Sequence, residues 1–276
     1  MTDLLLLVGC GSAAGALGAL LGLGGGVLIV PLLTLGFDLP LREAIGVSLV
    51  CVIATSSASA SVYLRRDIAN LRLGMTLELF TAAAALAGGL IAFALPERVL
   101  GILFAGLLAY VAIVMVRGRE PEADLDLPEA SEAADPVPGA DPSSFVDRLG
   151  GEGYRVRNLG WGVAGSMVAG LLSALLGIGG GVVKVPLMNQ VMRVPLRVAT
   201  ATSNLMIGVT ASSAGLIYLV RGEIDPYVAA PTALGVFAGA GVASRLAHRV
   251  DLKLLRTAFV VILAFTAIQM LARAVS

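Results

Sequence analysis

The stretch Gly22-Leu23-Gly24-Gly25-Gly26-Val27-Leu28-Ile29-Val30-Pro31 decides the fold of this chain, because it breaks an apolar run with glycines and ends in proline. A related stretch, Gly177-Ile178-Gly179-Gly180-Gly181-Val182-Val183-Lys184-Val185-Pro186, follows 155 positions later. Neither a glycine cluster nor a proline suits the interior of a regular helix. Each stretch therefore predicts a break in an apolar helix.

The two stretches belong to a longer duplication. Residues 20–66 align with residues 175–221 without a gap, and 20 of these 47 pairs are identical. The identical pairs include Pro40/Pro195, Arg42/Arg197, Ser48/Ser203, Thr55/Thr210 and Tyr63/Tyr218. We infer two homologous repeats, at residues 1–116 and 158–276, joined by residues 117–157.

The composition is that of a membrane protein. The 276 residues are 57% hydrophobic and 14% charged, with a mean hydropathy of +0.91, whereas soluble proteins are roughly 45–50% apolar. We interpret Cys10 and Cys51 as small core residues and not as a disulfide or metal pair, and His248 as an interfacial residue. The first apolar run lacks a basic n-region, so we expect it to remain in the mature protein.

The apolar segments predict an all-α polytopic membrane protein, since a span needs ~20 helical residues. Segments of about spanning length are Leu4–Leu21, Leu41–Leu64, Leu73–Leu95, Val99–Val116, Leu159–Leu176, Leu196–Val220, Tyr227–Leu246 and Leu252–Leu271. After each glycine cluster only a half-helix fits, from Val27 to about Phe37 and from Val182 to about Met192.

Residues 117–157 differ from the rest of the chain. They hold ten of the nineteen acidic residues and five prolines, a composition that buries no core. We predict a solvated acidic linker, and a binding arm is the alternative.

Basic residues favour one membrane topology. If each glycine segment enters the membrane and returns, fourteen Lys and Arg residues share one side against four on the other. If each glycine segment crosses, the division is ten against eight. The positive-inside rule therefore favours re-entrant half-helices, inverted repeats, a cytoplasmic linker and both termini outside.

The duplicated breaks predict a substrate site between the repeats. Irregular backbone within a membrane is tolerated where it is buried in protein or lines a cavity. The free N–H groups and positive dipole end of each half-helix favour an anion. The predicted ligands are Gly24, Gly25, Gly26, Gly179, Gly180 and Gly181. The alternative is that these glycines only allow helices to pack closely.

Two charged residues lie within the apolar segments. A lysine at the bilayer centre costs ~2.5–3.5 kcal/mol, and Lys184 aligns with the apolar Ile29. We predict that Lys184 supplies a positive charge to the anion; the alternative is a side chain that snorkels to the interface. Glu78 is a candidate for a coupling proton or a simple interfacial carboxylate.

A polar stripe follows each half-helix. Ser48, Thr55, Ser203, Asn204 and Thr210 are predicted to contact the substrate, while hydroxyls that bond back to the preceding turn are the alternative. Asn204 aligns with Leu49, and an amide is costly to bury without a partner. Arg42 and Arg197 begin equivalent spans and would attract an anion or anchor the helix at the interface.

The sequence contains no catalytic set. It has one histidine, no clustered cysteines and no phosphate loop ending in Gly-Lys-Ser/Thr, so hydrolysis, redox chemistry and ATP-driven pumping lack their residues. We expect no enzyme activity, metal or cofactor. The expected partners are a small anion and the lipid bilayer, without nucleic acid; a homo-oligomer is left open.

The duplicated Gly-x-Gly-Gly-Gly-Val-x-x-Val-Pro element, the following Pro-Leu-Arg-x-Ala and the Ser/Thr-rich span resemble the sulfite exporter TauE/SafE family. This resemblance implies secondary transport of sulfite or organosulfonates across a bacterial cytoplasmic (inner) membrane. It also implies roles for the glycine clusters with Pro31 and Pro186, and for the downstream polar spans. A passive anion channel and a membrane sensor or scaffold are the rival functions.

Overall fold

The structure is a computed structural model, and it describes residues 2–20, 25–65, 69–117, 154, 156–246 and 252–275. Within these residues every regular element is a helix, which confirms the predicted all-α class. The helices are α1 Thr2–Leu20, α2 Gly26–Gly36, α3 Leu41–Arg65, α4 Leu71–Ala94, α5 Glu97–Arg117, α6 Leu159–Leu176, α7 Gly181–Pro186, α8 Leu196–Val220, α9 Pro226–Leu246 and α10 Leu252–Val275, and a π-helical turn, Leu187–Val191, continues α7.

Six of the described helices are long and apolar enough to cross a membrane: α3, α4, α5, α6, α8 and α9. The apolar stretches within α1, α2 and α10 are shorter, at Leu4–Gly18, Gly26–Gly36 and Phe259–Ala274. The protein is therefore a multi-pass membrane protein.

The predicted half-helices are present as short helices after each glycine cluster. The first, α2, begins one residue before the predicted start at Val27, and the second ends at Val191. In the second, Pro186 closes the α-helical part. Proline donates no backbone N–H and disturbs the ladder of the helix around it. A re-entrant path for these helices stays a prediction.

The two repeats interlock. The first helix of each repeat packs on the fourth helix of the other, as α1 on α9 and α6 on α4. The central contacts join equivalent helices, α3 with α8 and α5 with α10. If each helix is replaced by its equivalent in the other repeat, the same set of helix pairs results. A two-fold relation between the repeats would have this property.

Glycines allow the first and fourth helices to approach closely. Gly11 and Gly15 of α1 abut the backbone carbonyls of Thr232 and Val236 in α9, and a side chain at either glycine would overlap them. Small residues at such contacts are typical of helix packing in lipid, where backbone approach replaces the hydrophobic effect as the source of attraction.

Polarity is distributed as a lipid environment requires. Large apolar side chains such as Leu5, Trp161 and Val220 are exposed on the outside of the bundle. Several polar side chains are buried between helices: Ser48, Thr55, Glu78, Lys184, Ser203 and Thr210. The interior of the bundle thus holds the groups that lipid would exclude.

The acidic part of the predicted linker and His248 lie outside the described residues. The end of that segment packs on the protein, since Val156 is buried with Met188 and Met192, and Asn70 Nδ2 donates to Tyr154 Oη at 2.7 Å. The chain therefore contacts the start of α4 before α6 begins. Cys10 and Cys51 are free thiols, and Cys51 is buried.

Candidate substrate site

The described glycines of the two clusters form turns that most residues cannot adopt. Gly25 has a φ of 73°, and Gly177, Gly179 and Gly180 have φ of 68°, 76° and 76°. This left-handed region disfavours side chains with a β-carbon. The predicted site residue Gly24 lies outside the described residues. The backbone conformation therefore favours glycine at these four positions.

The two turns contact each other. A β-carbon on Gly26 would lie 2.7 Å from the carbonyl oxygen of Gly177 and 3.2 Å from the Cα of Ile178. The turns therefore meet where the two repeats join, and a substrate site at this junction stays a prediction.

Ser48 holds this junction together. Its Oγ donates to the carbonyl oxygen of Gly177 at 2.7 Å, and the carbonyl of Gly26 lies 3.3 Å away. One hydroxyl proton makes one strong bond, so the shorter contact with Gly177 dominates. Ser48 thus links the first repeat to the second through a backbone group of the glycine turn.

Lys184 lies in a buried network with Glu78 and Thr210. Its Nζ is 3.0 Å from Glu78 Oε2 and 2.6 Å from Thr210 Oγ1, and Thr210 Oγ1 is 2.6 Å from Glu78 Oε1. The relative exposures of Lys184, Glu78 and Thr210 are 1%, 7% and 0%. Lys184 does not snorkel to the surface, and Glu78 is not at an exposed interface.

This network is absent from its pseudo-symmetric counterpart, where α2 and α3 of the first repeat take the places of α7 and α8, and α9 of the second repeat takes the place of α4. The 155-residue offset extends to the fourth helices, because Gly15 abuts the Val236 carbonyl as Gly170 abuts that of Thr81. Ile29, Thr55 and Ala233 then correspond to Lys184, Thr210 and Glu78. Thr55 Oγ1 donates to its own helix, with Val52 O at 3.0 Å and Cys51 O at 3.2 Å. Both charged residues are thus confined to one side of the pseudo-symmetric pair.

Two buried hydroxyls beside the second glycine turn have no hydrogen-bond partner among the described residues. They are Ser203 Oγ and Ser173 Oγ. Ser203 Oγ lies 3.7 Å from where a β-carbon of Gly181 would be, and the Cβ of Ser173 is 3.4 Å from that of Gly180. Ser203 was a predicted site residue. Ser173 was not, although its place in the last turn before Gly177 is a signal that sequence reading could use.

Three further serines on α3 and α8 bond within their own helices, and the predicted site residue Asn204 contacts the first repeat through its backbone. The exposed hydroxyls of Ser57, Ser212 and Ser213 bond back to carbonyls four residues earlier. Asn204 is half-buried, and its backbone carbonyl accepts from Ser56 Oγ at 2.6 Å.

Arg42 lies against the end of α4. It donates to the Leu95 carbonyl at 2.7 Å, and its guanidinium lies 5.5 Å from the centre of the Phe93 ring. These contacts fit an anchoring role at the end of the bundle. The side chain of Arg197 lies outside the described part of the chain.

The network is therefore the main charged feature between the described helices. Within those residues no three His, Cys, Asp or Glu side chains gather as metal ligands. What the arrangement offers is one ammonium group, one carboxylate and several hydroxyls next to glycine turns. Such groups suit the binding of a small ion and exchange of a proton.

A known protein family shares the region that contains both glycine turns and the buried network. The sequence model described as sulfite exporter TauE/SafE matches residues 7–270, from α1 to α10. The chain belongs to the TauE/SafE family. The resemblance seen in the glycine elements is thereby confirmed. TauE/SafE proteins are membrane transporters and not enzymes.

Individual relatives of the chain bear transporter names. The chain is similar to the probable membrane transporter protein YunE of Bacillus subtilis (strain 168), with 24% identity over 259 residues and 90% of both chains covered. It is also similar to a probable membrane transporter protein of Xylella fastidiosa (strain 9a5c), with 27% identity over 249 residues, 90% of this chain and 86% of that one. No solved structure matches the chain.

Proposed function

We propose that this TauE/SafE protein is a secondary transporter that moves a small sulfur-containing oxyanion, sulfite or an organosulfonate, across the cytoplasmic membrane by alternating access. The observation that carries the proposal is the meeting of two glycine turns beside a buried lysine. Lys184 is one helical turn from the second turn, since its backbone N–H donates to the Gly180 carbonyl at 3.0 Å. Discontinuous helices that meet in this way are typical of substrate sites in transporters.

In this proposal the anion binds at the N-terminal ends of α2 and α7. The first amides of these helices carry a partial positive charge and lack partners within the helix. The buried hydroxyls of Ser173 and Ser203 lie beside the second of these ends. Sulfite and sulfonate oxygens accept hydrogen bonds from both kinds of donor, and Lys184 supplies the full charge.

Alternating access would use the two repeats as inverted units with re-entrant half-helices. The interchangeable helix pairs support a two-fold relation between the repeats. The residues after the half-helices support it too, because Asp38 and Arg193 are equivalent positions and have similar φ of 52° and 58°. In the topology that the positive-inside rule favours, these two positions would lie on opposite sides of the membrane.

Exchange of labelled substrate in proteoliposomes tests the proposal. The full-length protein is reconstituted, and counterflow is followed for sulfite, methanesulfonate, sulfate and a cation as control. We expect saturable exchange of a sulfur oxyanion and none of the cation. Flux that does not saturate and shows no counterflow would indicate a channel, and the absence of any anion movement would refute the proposed function.

Two glycine variants separate the site from backbone strain. Gly180 and Gly222 share a φ of 76°, but only Gly180 lies at the glycine turn, whereas a β-carbon on Gly222 would meet no atom within 4 Å. Gly180→Leu should abolish exchange, whereas Gly222→Leu should retain it. Equal loss in both variants would mean that left-handed strain, and not the site, explains the effect.

A further inference from the structure

We propose that the Glu78 carboxylate pairs with the Lys184 ammonium group in the substrate-free protein, in the place that the transported anion takes when it binds. The anion displaces the carboxylate from Lys184, and Glu78 takes up a proton at the same time. This inference rests on the proposed function and adds its coupling ion. The empty and loaded forms differ in which negative group faces the ammonium of Lys184. The transported anion and the proton therefore move in the same direction.

The geometry of the network supports a direct competition. Glu78 Oε2 lies 3.0 Å from Lys184 Nζ, close to the distance at which an oxyanion oxygen accepts a hydrogen bond from an ammonium group. Glu78 Oε1 accepts from Thr210 Oγ1, so both carboxylate oxygens are held by the groups that would hold a ligand. A sulfonate or sulfite group also presents negatively charged oxygens that accept hydrogen bonds from the same donors.

The cost of a buried net charge links the binding of one anion to the uptake of one proton. In the empty protein the ammonium and the carboxylate sum to zero. A bound monoanion beside an ionised Glu78 would leave a net negative charge buried among apolar helices, which is costly. If Glu78 gains a proton from the water on the side where the anion enters, the sum is zero again. Release of the anion on the other side returns the proton there.

The surrounding helices offer no other partner for the exchange. Glu78 lies on α4, which packs on α6 and α8, and Lys184 lies on α7. Among described residues α6 carries no titratable side chain, and the remaining ones on these elements are at the ends: Arg72, Arg197 and Tyr218. Arg72 is exposed at the start of α4, and Tyr218 Oη donates to the Ala174 carbonyl at 3.1 Å.

The pseudo-symmetric counterpart of this site shows that the fold does not need these charges. There Ile29 of α2 and Ala233 of α9 stand at the positions equivalent to Lys184 and Glu78. A buried ion pair is often no more stabilising than apolar residues in its place. The pair therefore needs a reason other than stability, and a reversible charge exchange with substrate supplies one.

The test measures anion affinity against pH with a probe of fixed charge. Methanesulfonate stays a monoanion across the neutral range, whereas sulfite changes its own charge. Binding to the purified full-length protein should strengthen about tenfold for each unit by which the pH falls, as one linked proton requires, while the empty protein keeps Glu78 ionised. A pH-sensitive dye inside proteoliposomes should report one proton entering with each anion.

Three variants test whether Glu78 and Lys184 are the groups responsible. Glu78→Gln imitates the protonated carboxyl, so its methanesulfonate affinity should no longer depend on pH and the proton signal should vanish. Lys184→Ile should lose binding by at least tenfold. The double variant Lys184→Ile/Glu78→Ala reproduces the residues of the pseudo-symmetric counterpart, Ile29 and Ala233. It should also lose binding, while folding into the same monodisperse species as wild type.

The outcomes separate this inference from the proposed function. Saturable anion exchange in wild type with no pH dependence and no proton signal would overturn the coupling and leave the transporter standing. Retention of the pH dependence in Glu78→Gln, or of binding in the double variant, would place the proton or the anion elsewhere and overturn the inference. Failure of wild type to exchange any anion would remove both.

Discussion

Among the buried threonines near the Lys184–Glu78 pair, Thr210 should be the one whose replacement by valine destabilises the protein most. The hydroxyl of Thr210 accepts a hydrogen bond from Lys184 at 2.6 Å and donates one to Glu78 at 2.6 Å. Valine keeps the shape of the side chain and removes both bonds. Hydrogen bonds to charged groups contribute ~1.5–3 kcal/mol each. Because the direct Lys184–Glu78 contact survives, we expect a loss of about 3 kcal/mol in the free energy of unfolding.

Thr81→Val is the matched control. Thr81 is equally buried, but its hydroxyl donates to the Leu77 carbonyl of its own helix at 2.8 Å. Its replacement should cost about 1 kcal/mol, the value of a neutral hydrogen bond. Chemical unfolding of both variants in detergent micelles measures the difference. If Thr210→Val costs no more than Thr81→Val, the hydroxyl of Thr210 does not support the two charges, and the network is wrongly described.

Three further predictions concern the junction of the repeats and its orientation. Ser48→Ala should lower the free energy of unfolding by ~1–3 kcal/mol, because a buried carbonyl loses its donor, while exposed Ser57→Ala should change it by less than ~0.5 kcal/mol. Gly26→Ala should lower both the thermal unfolding temperature and the anion exchange rate, since its β-carbon would press on the opposite turn; unchanged values would show that the turns can separate. In a cysteine-free background, Asp38→Cys should react with an impermeant maleimide from outside and Arg193→Cys only after permeabilisation, and labelling of both from one side would contradict inverted repeats.

Most of the helices could be predicted from the sequence, because their limits depend on local chemistry. The predicted spans at Leu159–Leu176 and Leu196–Val220 coincide with α6 and α8. The first follows from apolar length and from Gly177, which ends the helix in the left-handed region. The second follows from Pro195, which opens the helix, since proline is tolerated at such a start.

The pairing of Lys184 with Glu78 could not be predicted, because it joins residues 106 positions apart on helices of different repeats. Each residue was recognised alone from the cost of charge in a membrane. Their contact depends on how α4 packs against the second repeat, and periodicity within one helix carries no information about that. The same limit applies to Ser48, whose acceptor lies 129 positions away.

The close contact of α1 with α9 also has a consequence for biosynthesis. The surface of α1 at Gly11 and Gly15 packs against the backbone of residues near position 232. This surface therefore has no packing partner until most of the chain has left the ribosome. Chains grow at about 5–20 residues per second, which leaves α1 in lipid for many seconds without the neighbour that its surface fits. Although α1 is made long before α9, it is thus among the last helices to reach its final neighbours. A chain cut off before α9 would present this glycine surface to any other protein in the bilayer.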